Sequence, residues 1–157
     1  MNWFLVFFNS KINSKESELI EFKPGSFLST PSLQSIFIPK HVKIIGLESF
    51  NNCTELKTVK FSSDSQLEII GKKCFINCKK LSKFEFNGNQ KISIYDGAFK
   101  STALKGFSFP KSVMPYDSDI FIYRKSLKSI EFIWGDKFEL LRHDLIEQVS
   151  VISFQNA

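Results

Sequence analysis

Apolar residues recur along the chain in one motif that can be read five times. The motif is L-x-x-Φ-x-Φ, where Φ is apolar, and its last two apolar positions flank a single outward position, as in a strand that buries one face. The copies begin at Leu33, Leu56, Leu81, Leu104 and Leu127, at intervals of 23 to 25 residues. The pattern predicts one short strand in each turn of a repeat architecture.

The rest of each turn repeats as well. A Phe follows an Ile by five residues, one small residue comes just before the Phe, and another comes three residues after it, which predicts a tightly packed corner. Gly46 and Gly71 follow the Ile and suit a sharp turn. The repeated residues are Ile45, Ile70 and Ile94, Phe50, Phe75 and Phe99, Ser49, Cys74 and Ala98, and Cys53, Cys78 and Thr102.

One unit alone could not bury its Leu, its two Φ residues and its Phe, so neighbouring units must stack. The pattern resembles the BspA-type leucine-rich repeat, with a consensus of roughly L-x-x-I-x-I-P-x-x-V-x-x-I-G-x-x-A-F-x-x-C-x-x-L. The turn from Leu33 to Leu56 follows it almost position by position. The resemblance covers residues 19–133. It implies a β-rich, right-handed leucine-rich-repeat solenoid with a parallel sheet on its concave side, a role in protein binding or adhesion, and no cofactor.

We expect a single solenoid domain over 1–157, with about five to six turns of 23–25 residues. Residues 1–18 are interpreted as a degenerate first turn, 19–133 as the repeats and 134–157 as a C-terminal cap. Within the cap, apolar spacing predicts a helix over 136–148 and then a final strand near 149–154. A fragment of a longer repeat array would show the same pattern.

The chain carries a net charge of +5, and its basic residues are scattered along the sequence. This balance is a mild electrostatic bias towards acidic proteins, anionic glycans or lipid headgroups, and the scatter is not typical of a specific nucleic-acid-binding protein. With a protein partner, we expect an acidic surface. The apolar stretch Trp3–Phe8 is shorter than the ~18 residues of a membrane span, and no basic region precedes it as in a signal peptide. We therefore expect no membrane span, and an intracellular location is favoured over the cell surface. We also expect the chain to be a monomer.

Residues with reactive side chains do not form a recognisable catalytic or metal site. Cys53, Cys74 and Cys78 could supply thiolates to zinc, but each occupies a slot that holds a small residue in other turns, which favours buried free thiols. His143 lies beside Asp144 without a nearby nucleophile. We expect no enzyme activity, no metal and no cofactor; a hydrolase with an unrecognised site is the remaining enzymatic alternative.

The outward-facing side chains of the motif strands do not pack in the core, so we expect a protein partner to bind to them. Phe37 could serve as an aromatic anchor, and Lys105 and Lys128, about one strand spacing of ~4.8 Å apart, would attract an anionic partner. Two alternatives stay open: the lysines only keep the surface soluble, or the chain is a cell-surface adhesion module. The candidate partner-binding residues are Ser35, Phe37, Lys57, Thr58, Lys60, Lys83, Glu85, Lys105, Ser108, Lys128 and Glu131.

Overall fold

The strands in the described part of the chain form three parallel sheets. The structure, a computed structural model, describes residues 18–86, 92–109, 114–115, 129–133 and 151–155. Within these segments the strands are β1 Glu21–Phe22, β2 Ser35–Ile38, β3 Ile44–Ile45, β4 Thr58–Phe61, β5 Ile69–Ile70, β6 Lys83–Glu85, β7 Ser93–Ile94, β8 Gly106–Phe109, β9 Met114–Pro115, β10 Ser129–Ile133 and β11 Val151–Gln155.

All five copies of the motif form strands, as predicted. β2, β4 and β6 make one sheet, and β8, β10 and β11 make another. Equivalent positions pair between neighbouring turns, for example Ile36 with Val59 and Val59 with Phe84. β6 and β8 belong to different sheets, but the backbone N–H of Ala103 donates to the carbonyl of Leu81 over 2.9 Å and so joins those two turns.

Among the residues that the structure describes, five turns also have a return strand of two residues, which the sequence pattern did not predict. These strands, β1, β3, β5, β7 and β9, form a continuous five-stranded parallel sheet. The second residue of β3, β5 and β7 is a buried isoleucine: Ile45, Ile70 and Ile94. The predicted Ile column therefore lies inside the solenoid, opposite the motif strands.

Consecutive β-turns form the corner between a return strand and the next motif strand. In the first corner Ser26 N–H donates to the Lys23 carbonyl and Thr30 N–H to that of Phe27. The third residue of each turn has a positive φ, 68° at Gly25 and 53° at Ser29, which is the geometry of a type II turn. The same two positions have positive φ in later corners, at Glu48 and Asn52, at Lys73 and Asn77, and at Gly97 and Ser101.

Gly46 and Gly71 each begin a β-turn, as predicted, because the N–H groups of Ser49 and Cys74 donate to their carbonyls. A positive φ is not the reason for glycine there, since the positive φ values fall on other residues. A Cβ on Gly71 would lie 2.6 Å from the backbone carbon of Gly46, and a Cβ on Gly46 would lie 2.8 Å from the carbonyl oxygen of Phe22. Glycine is required at both positions because the backbones of neighbouring turns approach closely there.

The repeat register resumes after the fifth motif copy. β11 pairs in parallel with β10, and its Ile152 and Phe154 align with Ile130 and Phe132. The predicted final strand is thus present, and it continues the sheet of motif strands. The predicted helix over 136–148 and all but the last residue of the degenerate first turn, 1–18, lie outside the described residues. In the described segments no helix has the length and apolar character to cross a membrane.

Candidate functional site

The outward side chains of β2, β4 and β6 form two rows across the strands, which we call the strand face. In one row Ser35 pairs with Thr58 and Thr58 with Lys83; in the other Phe37 pairs with Lys60 and Lys60 with Glu85. The alternation of apolar and polar positions turns these side chains outward, while the residues between them fill the core. The structure therefore brings together six of the predicted partner-binding residues.

Phe37 is an exposed aromatic residue on the strand face. Its side chain is 36% exposed, whereas its neighbours in β2, Ile36 and Ile38, are 3% and 0% exposed. Burial of a fully exposed large apolar side chain contributes about 1.5–3 kcal/mol, and a partner that covers the exposed part of Phe37 gains a corresponding fraction of that free energy. Phe37 thus retains the property expected of an anchor.

Lys60 and Glu85 neutralise each other in the centre of the strand face. The Lys60 ammonium lies 3.6 Å from the Glu85 carboxylate, and both side chains are exposed. An exposed pair of this kind contributes little to stability. Its main consequence is that the middle of the strand face carries no net charge.

Three lysines lie where β4, β6 and β8 begin, and we call them the basic rim: Lys57, Lys83 and Lys105. Lys57 immediately precedes β4, Lys83 is the first residue of β6, and Lys105 immediately precedes β8. All three side chains are exposed. In the part of the chain that the structure describes, the ion pairs include Lys40, Lys43, Lys60, Lys72 and Lys80 but no lysine of the basic rim.

The remaining predicted residues are only partly placed. Ser108 and Glu131 pair with each other across β8 and β10, as their motif positions predicted. Lys128 lies outside the described residues, so its closeness to Lys105 stays a prediction. His143 and Asp144 also lie outside them.

The three cysteines are buried free thiols in the small-residue slots. The Cys53 thiol donates a hydrogen bond to the carbonyl of Phe27, and the Cys78 thiol donates to that of Phe50, each over 3.1 Å. Loss of hydration on burial raises the pKa of all three thiols above the ordinary value of 9.0. This environment disfavours the thiolate, which is the nucleophilic and metal-binding form.

The ion pairs between neighbouring turns were not predicted from the sequence. Lys43 pairs with Glu68 over 3.2 Å, Lys72 with Asp96 over 3.0 Å, and Lys80 with Glu55 over 2.7 Å. Each pair joins residues about one repeat apart, so a search for opposite charges at that spacing would have found them. The same search would have identified the lysines that lack such a partner.

The chain matches the sequence model of the BspA type leucine rich repeat region in six copies over residues 20–142. Among solved structures it is similar to the crystal structure of the T. pallidum leucine rich repeat protein TpLRR. The TM-score is 0.68 with 22% sequence identity, and the match covers 86% of this chain and 66% of that one. The likeness shows a shared fold. No protein of curated function matches the chain.

Proposed function

The chain belongs to the BspA-type leucine-rich-repeat family, and we propose that it is a non-catalytic binding module whose protein partner lies on the strand face, the concave side of the solenoid. Leucine-rich-repeat domains generally act as protein-interaction modules. The observation that supports this choice of surface is the exposed position of Phe37 among the polar outward side chains of β2, β4 and β6.

The strand face has the composition of a small interface. Phe37 offers apolar area that a partner can desolvate, and interface energy commonly concentrates in a few aromatic or Arg residues. Ser35 and Thr58 lie next to each other in the pairing of β2 with β4 and offer hydroxyl groups for hydrogen bonds. Because all of these side chains project from strands, they are held on a rigid support.

Affinity capture from an extract of the native cells tests the proposal. The bait is the full chain, and the variants are Phe37→Ala and Leu47→Ala. Leu47 is a matched control, since its side chain is 47% exposed but belongs to a corner turn rather than to the strand face. Proteins captured by the wild type are identified by mass spectrometry, and the dissociation constant of the main partner is then measured with each variant.

We expect Phe37→Ala to weaken the complex about tenfold or more, which corresponds to ~1.4 kcal/mol. Leu47→Ala should bind like the wild type, and thermal unfolding should show that both variants remain folded. If Phe37→Ala binds the partner with the same affinity as the wild type, the partner does not bind at the strand face. Weaker binding by Leu47→Ala alone would move the interface to the corner turns.

A further inference from the structure

We propose that the partner contacts the basic rim through a short acidic segment that lies across the beginnings of β4, β6 and β8. This inference rests on the proposed function and adds the chemistry of the partner and the place where its charge lies. The rim comprises Lys57, Lys83 and Lys105, defined above by their positions at three successive motif strands.

Backbone contacts place the three lysines in consecutive turns. The N–H groups of Ser82 and Lys83 both donate to the carbonyl of Lys57, over 3.1 and 3.2 Å. Ala103, two residues before Lys105, donates to the carbonyl of Leu81, two residues before Lys83. The rim therefore runs across the strands, parallel to the stacking direction of the turns.

The described ion pairs do not neutralise the lysines of the basic rim, whereas Lys60 and Lys80 near them are paired with carboxylates. Lys60, three residues after Lys57, is neutralised by Glu85, and Lys80, three residues before Lys83, is neutralised by Glu55. For the described residues, no carboxylate lies within ion-pair distance of Lys57, Lys83 or Lys105. An anionic partner is thus attracted to the rim rather than to the neutral centre of the strand face.

The spacing of the rim fits an extended peptide. Neighbouring strands lie ~4.8 Å apart, so three lysines span roughly 10 Å at the level of the backbone, and an extended peptide rises ~3.3 Å per residue. A segment of about four residues can cover that distance. At the level of the backbone, neighbouring rim lysines lie about one strand spacing apart, which is less than one Debye length of ~8 Å at physiological salt. A partner carboxylate can therefore interact with more than one of them.

The neighbours of the lysines favour an acidic peptide over a single-stranded nucleic acid. Proteins that bind single strands combine basic side chains with aromatic residues on which the bases stack. Thr58, Ser82 and Gly106 adjoin the rim lysines in the sequence and offer hydroxyl and backbone groups to a peptide. The aromatic neighbour Phe84 packs edge-on against Phe61 and Phe75, so its ring is engaged with the core and does not form a stacking platform for a base.

Fluorescence anisotropy with a labelled decapeptide of alternating Glu and Ser tests the inference directly. The same peptide with Gln in place of Glu controls for charge. The proteins are the wild type, Lys83→Gln, and the triple variant Lys57→Gln, Lys83→Gln, Lys105→Gln. Lys73→Gln is the matched control, because Lys73 is also exposed and also has no described ion pair, but lies in a corner turn.

We expect the Glu peptide to bind the wild type, with an affinity that falls as salt is raised, and the Gln peptide not to bind. Lys83→Gln should weaken binding about threefold and the triple variant about thirtyfold, as expected for the loss of exposed charge pairs. Lys73→Gln should bind like the wild type. An equal loss with Lys73→Gln would mean that only net charge matters, and the rim assignment would be wrong.

Further outcomes separate this inference from the proposed function. If a heparin oligosaccharide or phosphatidylserine vesicles bind through the rim more tightly than the Glu peptide does, the proposal of an acidic protein segment is wrong. If Phe37→Ala loses the native partner while the triple variant keeps both the partner and the peptide, the proposed function stands and this inference fails. If the triple variant alone loses both, the rim stands and the anchor role of Phe37 fails.

Discussion

The rings of Phe50 and Phe75 stack on each other, with centroids 5.2 Å apart and planes inclined by 5°. The stack extends to Phe27 on one side, at 5.0 Å, and to Phe99 on the other, at 5.5 Å. Four turns thus contribute one ring each to a continuous column. Such a column couples the turns, because each ring stacks on the equivalent ring of the next turn.

Removal of the Phe75 ring should destabilise the protein strongly. Its side chain is completely buried, and Phe84 also packs edge-on against it at 5.7 Å. We expect Phe75→Ala to lower the free energy of unfolding by ~3–5 kcal/mol. Lys57→Ala, at an exposed position, should change it by less than about 0.5 kcal/mol. Denaturant unfolding followed by circular dichroism measures both, and similar values for the two variants would contradict the assigned register.

Substitution of two glycines should separate steric contact from backbone conformation. We expect Gly71→Ala to cost about 3 kcal/mol, near the upper end for overpacking, because its Cβ would lie 2.6 Å from backbone. Gly97→Ala should cost only ~1–2 kcal/mol, because its φ of 65° is strained for Ala but its Cβ would meet just a Lys73 side-chain carbon at 3.4 Å. Thermal unfolding of the two variants gives the order, and a larger loss for Gly97→Ala would be inconsistent with these contacts.

The cysteines should be unreactive in the folded protein. Burial raises the pKa of the Cys53, Cys74 and Cys78 thiols, so little thiolate forms at neutral pH, and reagents cannot reach it. We expect negligible labelling by iodoacetamide under native conditions and complete labelling in denaturant, measured by intact mass. Rapid labelling of one cysteine in the native state would show that its corner opens locally.

The stability of the protein should fall in acid partly through Asp64. The Lys40 ammonium at 2.8 Å, aided by the Ser62 hydroxyl, lowers the pKa of this carboxyl from 3.8 to about 2. In the folded state the group therefore holds its proton less tightly than in the unfolded state. Its stabilising effect is present above about pH 4 and is lost as the pH falls towards 2.

Denaturant unfolding between pH 5 and pH 2 measures this effect. Asp64→Asn should reduce the slope of stability against pH in that interval. Lys40→Gln should reduce it similarly, because it removes the main cause of the lowered pKa. An unchanged slope in both variants would show that the pair has no thermodynamic effect on the exposed surface, where ion pairs are commonly weak.

The sequence by itself determined the five motif strands, the interior columns and the turn length. A position inside a stacked array must be apolar in every turn, so the requirement is visible in residues such as Leu56, Val59 and Phe75 without knowledge of their neighbours. The small-residue slots of Cys53 and Cys78 were predictable for the same reason. The exposure of Phe37 and Lys60 followed from strand alternation.

Only the tertiary structure decided how one turn lies against the next. Glu48 and Lys73 have positive φ because inter-turn hydrogen bonds, such as Glu48 N–H to the Lys72 carbonyl, favour a type II turn there against their own preference. The role of Gly71 depends on a backbone 25 residues earlier, at Gly46. Which lysines form ion pairs and which belong to the basic rim likewise depends on whether a carboxylate lies opposite them in the adjacent turn. These features arise from contacts between turns, and a residue's own chemistry does not reveal them until the register is known.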